Sequence, residues 1–392
     1  MDEFLARRLA RREVVRLSLM GAGAVTLGVT TAGRRFSSAL AQDATPAAAT
    51  FDAATCYQPL GDAKPVQYDK VGDGNFNIGL SNSYIGNVWR TQMIKMGKAY
   101  SELPEIKPFV SQLQVNSAGT DDAAQIAAIE NMISNGAQAI IINANSPTAL
   151  IPTVTQARAD GIVIVAFDNV VQPDDPSADV GITINEDQKE MGRRWAQFLV
   201  DQTGGKGKML MVNGVAGTSV DTDRRAGAQE VWAANTGISV VEVVGEWDPG
   251  KAQSATATAL AANPDIAGVW CQGGTDGAVR AFLDAGKPLV PFAGEAENGF
   301  RKQMLEYKDK FQAYSIGQTP GMVCVAIRAA VSLLSGEPVP TAVSIPLPEA
   351  KTADLKPGVN VFPDGPNDFF TPIQVPACGV NLTFEQIDNQ QV

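Results

Sequence analysis

The chain contains no histidine among its 392 residues. That absence removes Ser-His-Asp and Cys-His nucleophilic sites, the His-Glu-x-x-His metal site and any histidine general base. An enzyme built from this sequence would have to rely on carboxylates, Lys, Tyr or Cys. Basic residues are also in deficit, 31 Lys plus Arg against 42 Asp plus Glu, which argues against a nucleic-acid binder. Past the first 41 residues, no stretch approaches the roughly 20 apolar residues that span a bilayer. No Cys-x-x-Cys occurs, and no strand-like run is followed by Gly-x-Gly-x-x-Gly. Gly204-Gly205-Lys206-Gly207-Lys208 precedes a strand and reads as a turn, so no dinucleotide or other cofactor is expected. What remains, 45% hydrophobic and 19% charged, should fold as about two globular domains without help from metals.

Residues 1–41 stand apart in composition. They hold seven Arg and three acids; subtracting these from 31 and 42 leaves 24 basic and 39 acidic residues in an acidic body. Arg11-Arg12 is followed by the apolar run Leu17 to Val29 and by Ala39-Leu40-Ala41, a small-x-small cleavage pattern. This resembles a twin-arginine export signal, although Ala10 stands where Ser or Thr is usual. The apolar run is too short for a transmembrane anchor. The mature chain is expected to begin near Gln42 outside the cytoplasm, periplasmic or at the cell surface, with 42–73 as a tether. Cys56 and Cys378 lie near the two mature ends, where an oxidising compartment leaves a bond between them or free thiols both open. A lipid anchor at Cys56 is a further alternative, but no apolar lipobox precedes it. Cys271 and Cys324 sit in apolar runs and read as buried.

From Asn75 onward, short apolar runs alternate with segments of helical period. Phe76 to Leu80, Ala137 to Ile142, Ile162 to Phe167, Val180 to Ile184, Met209 to Val212, Val240 to Val244, Ile266 to Trp270 and Leu289 to Phe292 read as strands, several apolar throughout. The repeat predicts an α/β fold of two doubly wound lobes. Nine prolines between Glu337 and Pro376 exclude a helix there, and this segment reads as extended chain wrapping the surface.

Ligands in open α/β sheets bind beyond the carboxyl ends of strands. Those positions here collect Ser83, Asn87, Trp89 and Arg90; Asp168 and Asn169; Trp247; Gln272 and Gly273; Glu295; and Gln318. Amides, carboxylates, arginine and indole rings are the inventory for gripping a small polyhydroxylated molecule. Trp195, Trp232 and Trp270 fall inside helix or strand patterns and read as core.

The ordered set Ile78-Gly79-Leu80-Ser81, Asn87 with Trp89, Gly136 to Asn143 with Ser146-Pro147, Asp168, Gly217-Thr218-Ser219, Gln272 and Gln318-Thr319-Pro320 resembles the periplasmic sugar-binding proteins of the ribose-binding type, type I solute receptors of ABC transporters. The resemblance covers about residues 74–345. It implies two Rossmann-like lobes, 74–175 plus 319–345 and 176–318 plus 346–376, joined by a three-strand hinge near 170–180, 316–320 and 344–350, with 377–392 as a C-terminal tail. It implies ligand contacts from Ser83, Asn87, Trp89, Arg90, Asp168, Asn169, Thr222, Arg224, Trp247, Gly273, Glu295 and Gln318. It also implies hinged closure on a sugar or polyol, and delivery to a membrane permease rather than catalysis. Gly273, Thr222 and Arg90 depart from the family pattern, so ribose is not specified, and an acidic sugar paired with Arg90 is open. Other readings are a same-fold receptor for a signalling furanone, a nucleoside or a sensor partner, or an exported hydrolase using Asp221 with Asp223 or Glu295 with Glu297.

Overall fold

Strands buried on both faces need apolar residues at every position, and Ala139–Asn143 and Val163–Phe167 are buried throughout. In the computed structural model, which describes residues 51–174 and 178–392, they form the centre of a seven-stranded sheet. Phe76–Asn82 lies between Ala139–Asn143 and Val110–Ser117, and Ile182–Asn185 follows Val163–Phe167, all parallel. Ala342–Ser344 continues the sheet in parallel and Gln58–Pro59 closes its edge antiparallel. The second sheet runs Gly237–Val244, Lys206–Asn213, Ile266–Cys271, Phe292–Gly294 and Ala313–Ile316 in parallel, with Glu349–Lys351 antiparallel at its edge. Each sheet carries an apolar cluster on both faces, so the α/β doubly wound expectation holds. Trp195, Trp232 and Trp270 pack edge-on in the second lobe's core. No helix among the described residues is long and apolar enough to cross a membrane.

The expected export leader, residues 42–50 and part of the expected first hinge segment lie outside the described residues. The rest of the expected tether is not one. Gln58–Pro59 joins the first sheet, Pro65–Val66 pairs with Val339–Pro340, and Cys56 and Tyr57 are buried in the first lobe. The proline-rich segment does not merely wrap the surface either, because Ala342–Ser344 and Glu349–Lys351 enter one sheet each. Strand Val110–Ser117 was not legible, since its edge position leaves most of its side chains half-buried or exposed and polar.

The chain first passes between lobes at 185–188, beyond the expected 170–180, because Ile182–Asn185 still belongs to the first sheet. It returns at 316–320 and leaves again between Ser344 and Glu349. A fourth passage follows. Asn367 and Phe369 accept hydrogen bonds from Gly299 and Asn298 of the second lobe, whereas Ile373, Val375, Val380, Leu382 and Ile387 are buried in the first. The expected C-terminal tail is therefore part of the first lobe. Cys56 and Cys378 are joined by a disulfide that fastens this return, which also occupies the sulfur a lipid anchor would need. Loss of such a cross-link costs about 2–5 kcal/mol. Cys378→Ala is expected to lower Tm by several degrees, and reductant should lower the wild type equally and the variant no further; an unchanged Tm would contradict the anchoring role.

Candidate functional site

The carboxyl ends of the two sheets deliver one residue after another to a cavity between the lobes with an empty volume of about 340 Å3. From the first lobe, helix Val88–Ser101 begins at Asn87, whose Oδ1 accepts a hydrogen bond from the Arg90 amide at 3.0 Å. This cap sets Trp89 and Arg90 in the first turn. Arg90 is fully buried: Nη1 donates to Asn82 Oδ1 (2.9 Å) and Ser83 Oγ (2.7 Å), and Nη2 stands 3.9 Å from Asp168 Oδ2. Burial pushes its guanidinium below the usual arginine range, a shift that Asp168 opposes.

Asp168 ends strand Val163–Phe167 with a φ of 58°, a backbone state that costs energy for a non-glycine residue. The turn aims its carboxylate into the cavity. Oδ2 accepts from Asn143 (2.8 Å) and Asn169 (3.0 Å), and Oδ1 accepts from Gln318 Nε2 (2.6 Å). Trp247 repeats the device in the second lobe, with a φ of 57° after strand Gly237–Val244. Its indole lies over Gly214, where an added methyl would collide with the ring, and donates to Gln272 Oε1 at 3.3 Å.

Arg224 lies on helix Ser219–Ala233, which packs tightly on helix Gln188–Thr203; a methyl at Gly192 would overlap the Arg224 carbonyl. Four donations use its guanidinium: to Gln188 Oε1 (2.8 Å), Gln272 O (3.0 Å), Glu295 Oε2 (3.2 Å) and Gln318 Oε1 (2.8 Å). Burial raises the Glu295 carboxyl above its ordinary value, with Arg224 opposing. Gln318, on the second passage, ties these groups together. Its amide donates to Glu295 Oε1 at 2.9 Å and its carbonyl accepts from Trp89 Nε1 at 3.0 Å, while its side chain meets Asp168 of one lobe and Arg224 of the other.

Ten of the twelve residues read from the sequence thus line one cavity, and two do not. Ser83 stands behind Arg90 and holds it. Thr222 is exposed and donates to Thr218 O, because the cap at Thr218 turns Val220, Asp221 and Arg224 inward and leaves Thr222 off that face. The lining also includes Val220, Gln272 and Phe370. Gln272 obeys the strand-end rule that located the others. Phe370 gave no such signal, being embedded in the proline-rich segment.

The carboxylate pairs considered for hydrolysis are engaged otherwise. Asp221 accepts from Gly214 N (3.0 Å) and Gln272 Nε2 (2.8 Å), and Glu297 accepts from the amides of Gly274 and Thr275 that open helix Thr275–Asp284.

One titratable group of the hinge escaped the sequence reading. Glu186, on the first passage, accepts from Thr319 N of the second at 3.0 Å, and its other oxygen has no partner among the described residues. Burial pushes its carboxyl well above the usual range, with the Thr319 amide opposing. A carboxyl whose folded-state pKa is raised contributes stability that is present at low pH and lost as pH rises through that pKa. Glu186→Gln keeps the acceptor and removes the ionisation. Its Tm should match the wild type near about pH 4 and exceed it progressively toward about pH 9; coincident Tm profiles across that range would contradict a neutral Glu186.

Residues 78–338 match the family description "Periplasmic binding protein domain". The chain is 25% identical over 292 residues to a ribose import binding protein of Bacillus subtilis, covering 72% of this chain and 91% of that one. A xylitol-binding protein of Mycolicibacterium smegmatis is 28% identical over 187 residues, 47% of this chain and 52% of that one. Among solved structures, an ABC transporter solute binding protein from Thermobispora bispora aligns with a TM-score of 0.63 at 26% identity, covering 69% of this chain and 84% of that one.

Proposed function

The chain belongs to the periplasmic binding protein family, and from that premise we propose that it captures a neutral sugar or sugar-like polyol between its lobes and hands it to an ABC permease after export. The observation that carries this reading is the charge balance of the cavity. Two guanidinium groups, Arg90 and Arg224, face two carboxylates, Asp168 and Glu295, at 3.9 and 3.2 Å, while Trp89 and Trp247 supply flat apolar faces. An uncharged polyhydroxylated ligand can accept from the arginines and donate to the carboxylates without adding a charge that the site would leave uncompensated. A sugar acid fits less well, because the arginines already have anionic partners. The named relatives support the class: one is a ribose import binding protein and another a xylitol-binding protein.

Gln318 supports closure as the means of capture: it touches groups of both lobes from within the hinge, and a ligand bridging the same groups would stabilise the closed arrangement. Thermal shift with pentoses, hexoses, polyols, sugar acids, nucleosides and a furanone tests the reading. A neutral sugar or polyol at about 100 times its Kd should add about 2.7 kcal/mol of stability. A shift confined to nucleosides or the furanone would assign the same fold to another ligand class, and a shift confined to sugar acids would refute the charge argument.

A further inference from the structure

We propose that Phe370 is a specificity-determining residue, a ring carried into the cleft by the fourth passage that limits the captured ligand to a single sugar or polyol; this rests on the sugar-binding reading above. Phe370 lies outside the span that matches the family, which ends at residue 338. It nonetheless lines the inner cavity, and it also lines a second, outer cavity with an empty volume of about 620 Å3. Three residues, Asn87, Trp247 and Phe370, line both cavities. Asn87 and Trp247 come one from each lobe, and Phe370 comes from the fourth passage.

The ring is held in place by its backbone. Gln92, one turn beyond Trp89 on the same helix, accepts from Phe370 N and donates to Phe370 O, both at 2.9 Å. On the opposite side Phe370 bridges Glu297 of the second lobe, and Thr371 N donates to Ala296 O at 3.1 Å. Thr319 of the second passage donates to Pro372 O at 2.7 Å. Beyond it, Ile373, Val375 and the disulfide-bonded Cys378 are buried in the first lobe. A side chain whose backbone is fixed by both lobes and the hinge, buried to 7% exposure in the first lobe's apolar cluster and lining the cavity, is placed to pack against the C–H surface of a bound ring. It also closes the route along which a second ring or an aglycone would extend into the outer cavity.

Binding of D-ribose, D-xylose and D-allose, and of their phenyl β-glycosides, measured by calorimetry on the wild type, Phe370→Ala and Phe370→Leu, separates the outcomes. The wild type should bind at least one free sugar and reject its phenyl glycoside. Phe370→Ala should lose about tenfold in affinity for the free sugar, equivalent to about 1.4 kcal/mol, and gain measurable binding of the glycoside. Phe370→Leu keeps the bulk without the ring face, so it should lose affinity for the sugar while still rejecting the glycoside; it decides the matter should the alanine variant fail to fold. A wild type that binds a sugar alongside variants with unchanged sugar affinity and unchanged rejection of the glycoside would overturn the role of Phe370. A wild type that binds none of these sugars and no other neutral sugar or polyol of the thermal-shift panel would overturn the reading on which it rests.

Discussion

Replacing Asp168 with alanine is expected to weaken binding of the neutral sugar by roughly 10- to 100-fold, the largest effect of any single change in the first lobe. Asp168 lines the cavity and accepts from Asn143, Asn169 and Gln318, which leaves about one of its carboxylate lone pairs for a ligand. Hydrogen bonds to a charged group contribute about 1.5–3 kcal/mol each, so the loss of that one ligand contact accounts for an effect of that order. The change also leaves Arg90 without its anionic neighbour and three buried amides without their acceptor. The left-handed backbone at position 168 suits alanine no better than aspartate, and Arg90 is left buried without its partner, so Tm without ligand should fall as well and affinity is read well below that Tm. Asp168→Asn keeps the shape but replaces an acceptor by a donor, and should fall between the two. Calorimetric titration checks the order wild type, Asn, Ala; equal affinity in all three would remove Asp168 from the site.

Arg224→Met is expected to act on stability as well as binding. The methionine fills much of the volume but makes none of the four hydrogen bonds to Gln188, Gln272, Glu295 and Gln318. It leaves the Glu295 carboxylate, 3% exposed, without its counter-charge. Breaking one side of a buried ion pair costs about 3–5 kcal/mol, which in a chain of this size corresponds to a fall in Tm of about 4–7 °C. Stability should recover in part as pH falls, because protonation of Glu295, whose carboxyl burial already raises, removes the unpaired charge. Differential scanning calorimetry across pH reads both effects. A Tm equal to that of the wild type would show that Arg224 does not anchor the network.

The fold was legible wherever burial on both faces demanded it. Ala139 to Ile142 and Val163–Phe167 are apolar because no position along them meets water, and the polar residues that follow mark the cleft. Val110–Ser117 escaped because an edge strand needs apolar residues on one face at most. The resemblance implies ligand contacts from both Thr222 and Arg224; the cap at Thr218, which fixes where helix Ser219–Ala233 begins, decides that only Arg224 faces inward. Phe370 and the packing of residues 51–73 and 374–392 depend on long-range pairing across more than 270 residues of chain, as between Gln92 and Phe370 with a separation of 278, and no local pattern encodes such a pairing. Glu186 is similar: its burial comes from two passages meeting at the hinge.

Small-angle X-ray scattering, with and without the sugar that most raises Tm, tests the central claim most directly. Capture between the lobes requires that the ligand-free protein populate an opened hinge and that the sugar draw Asp168 and Arg224 together through Gln318. The radius of gyration should therefore fall on saturation with the sugar, and it should remain at the ligand-free value in Asp168→Ala under the same conditions. A radius of gyration unchanged in the wild type, with calorimetry confirming that the sugar is bound, would contradict closure as the means of capture.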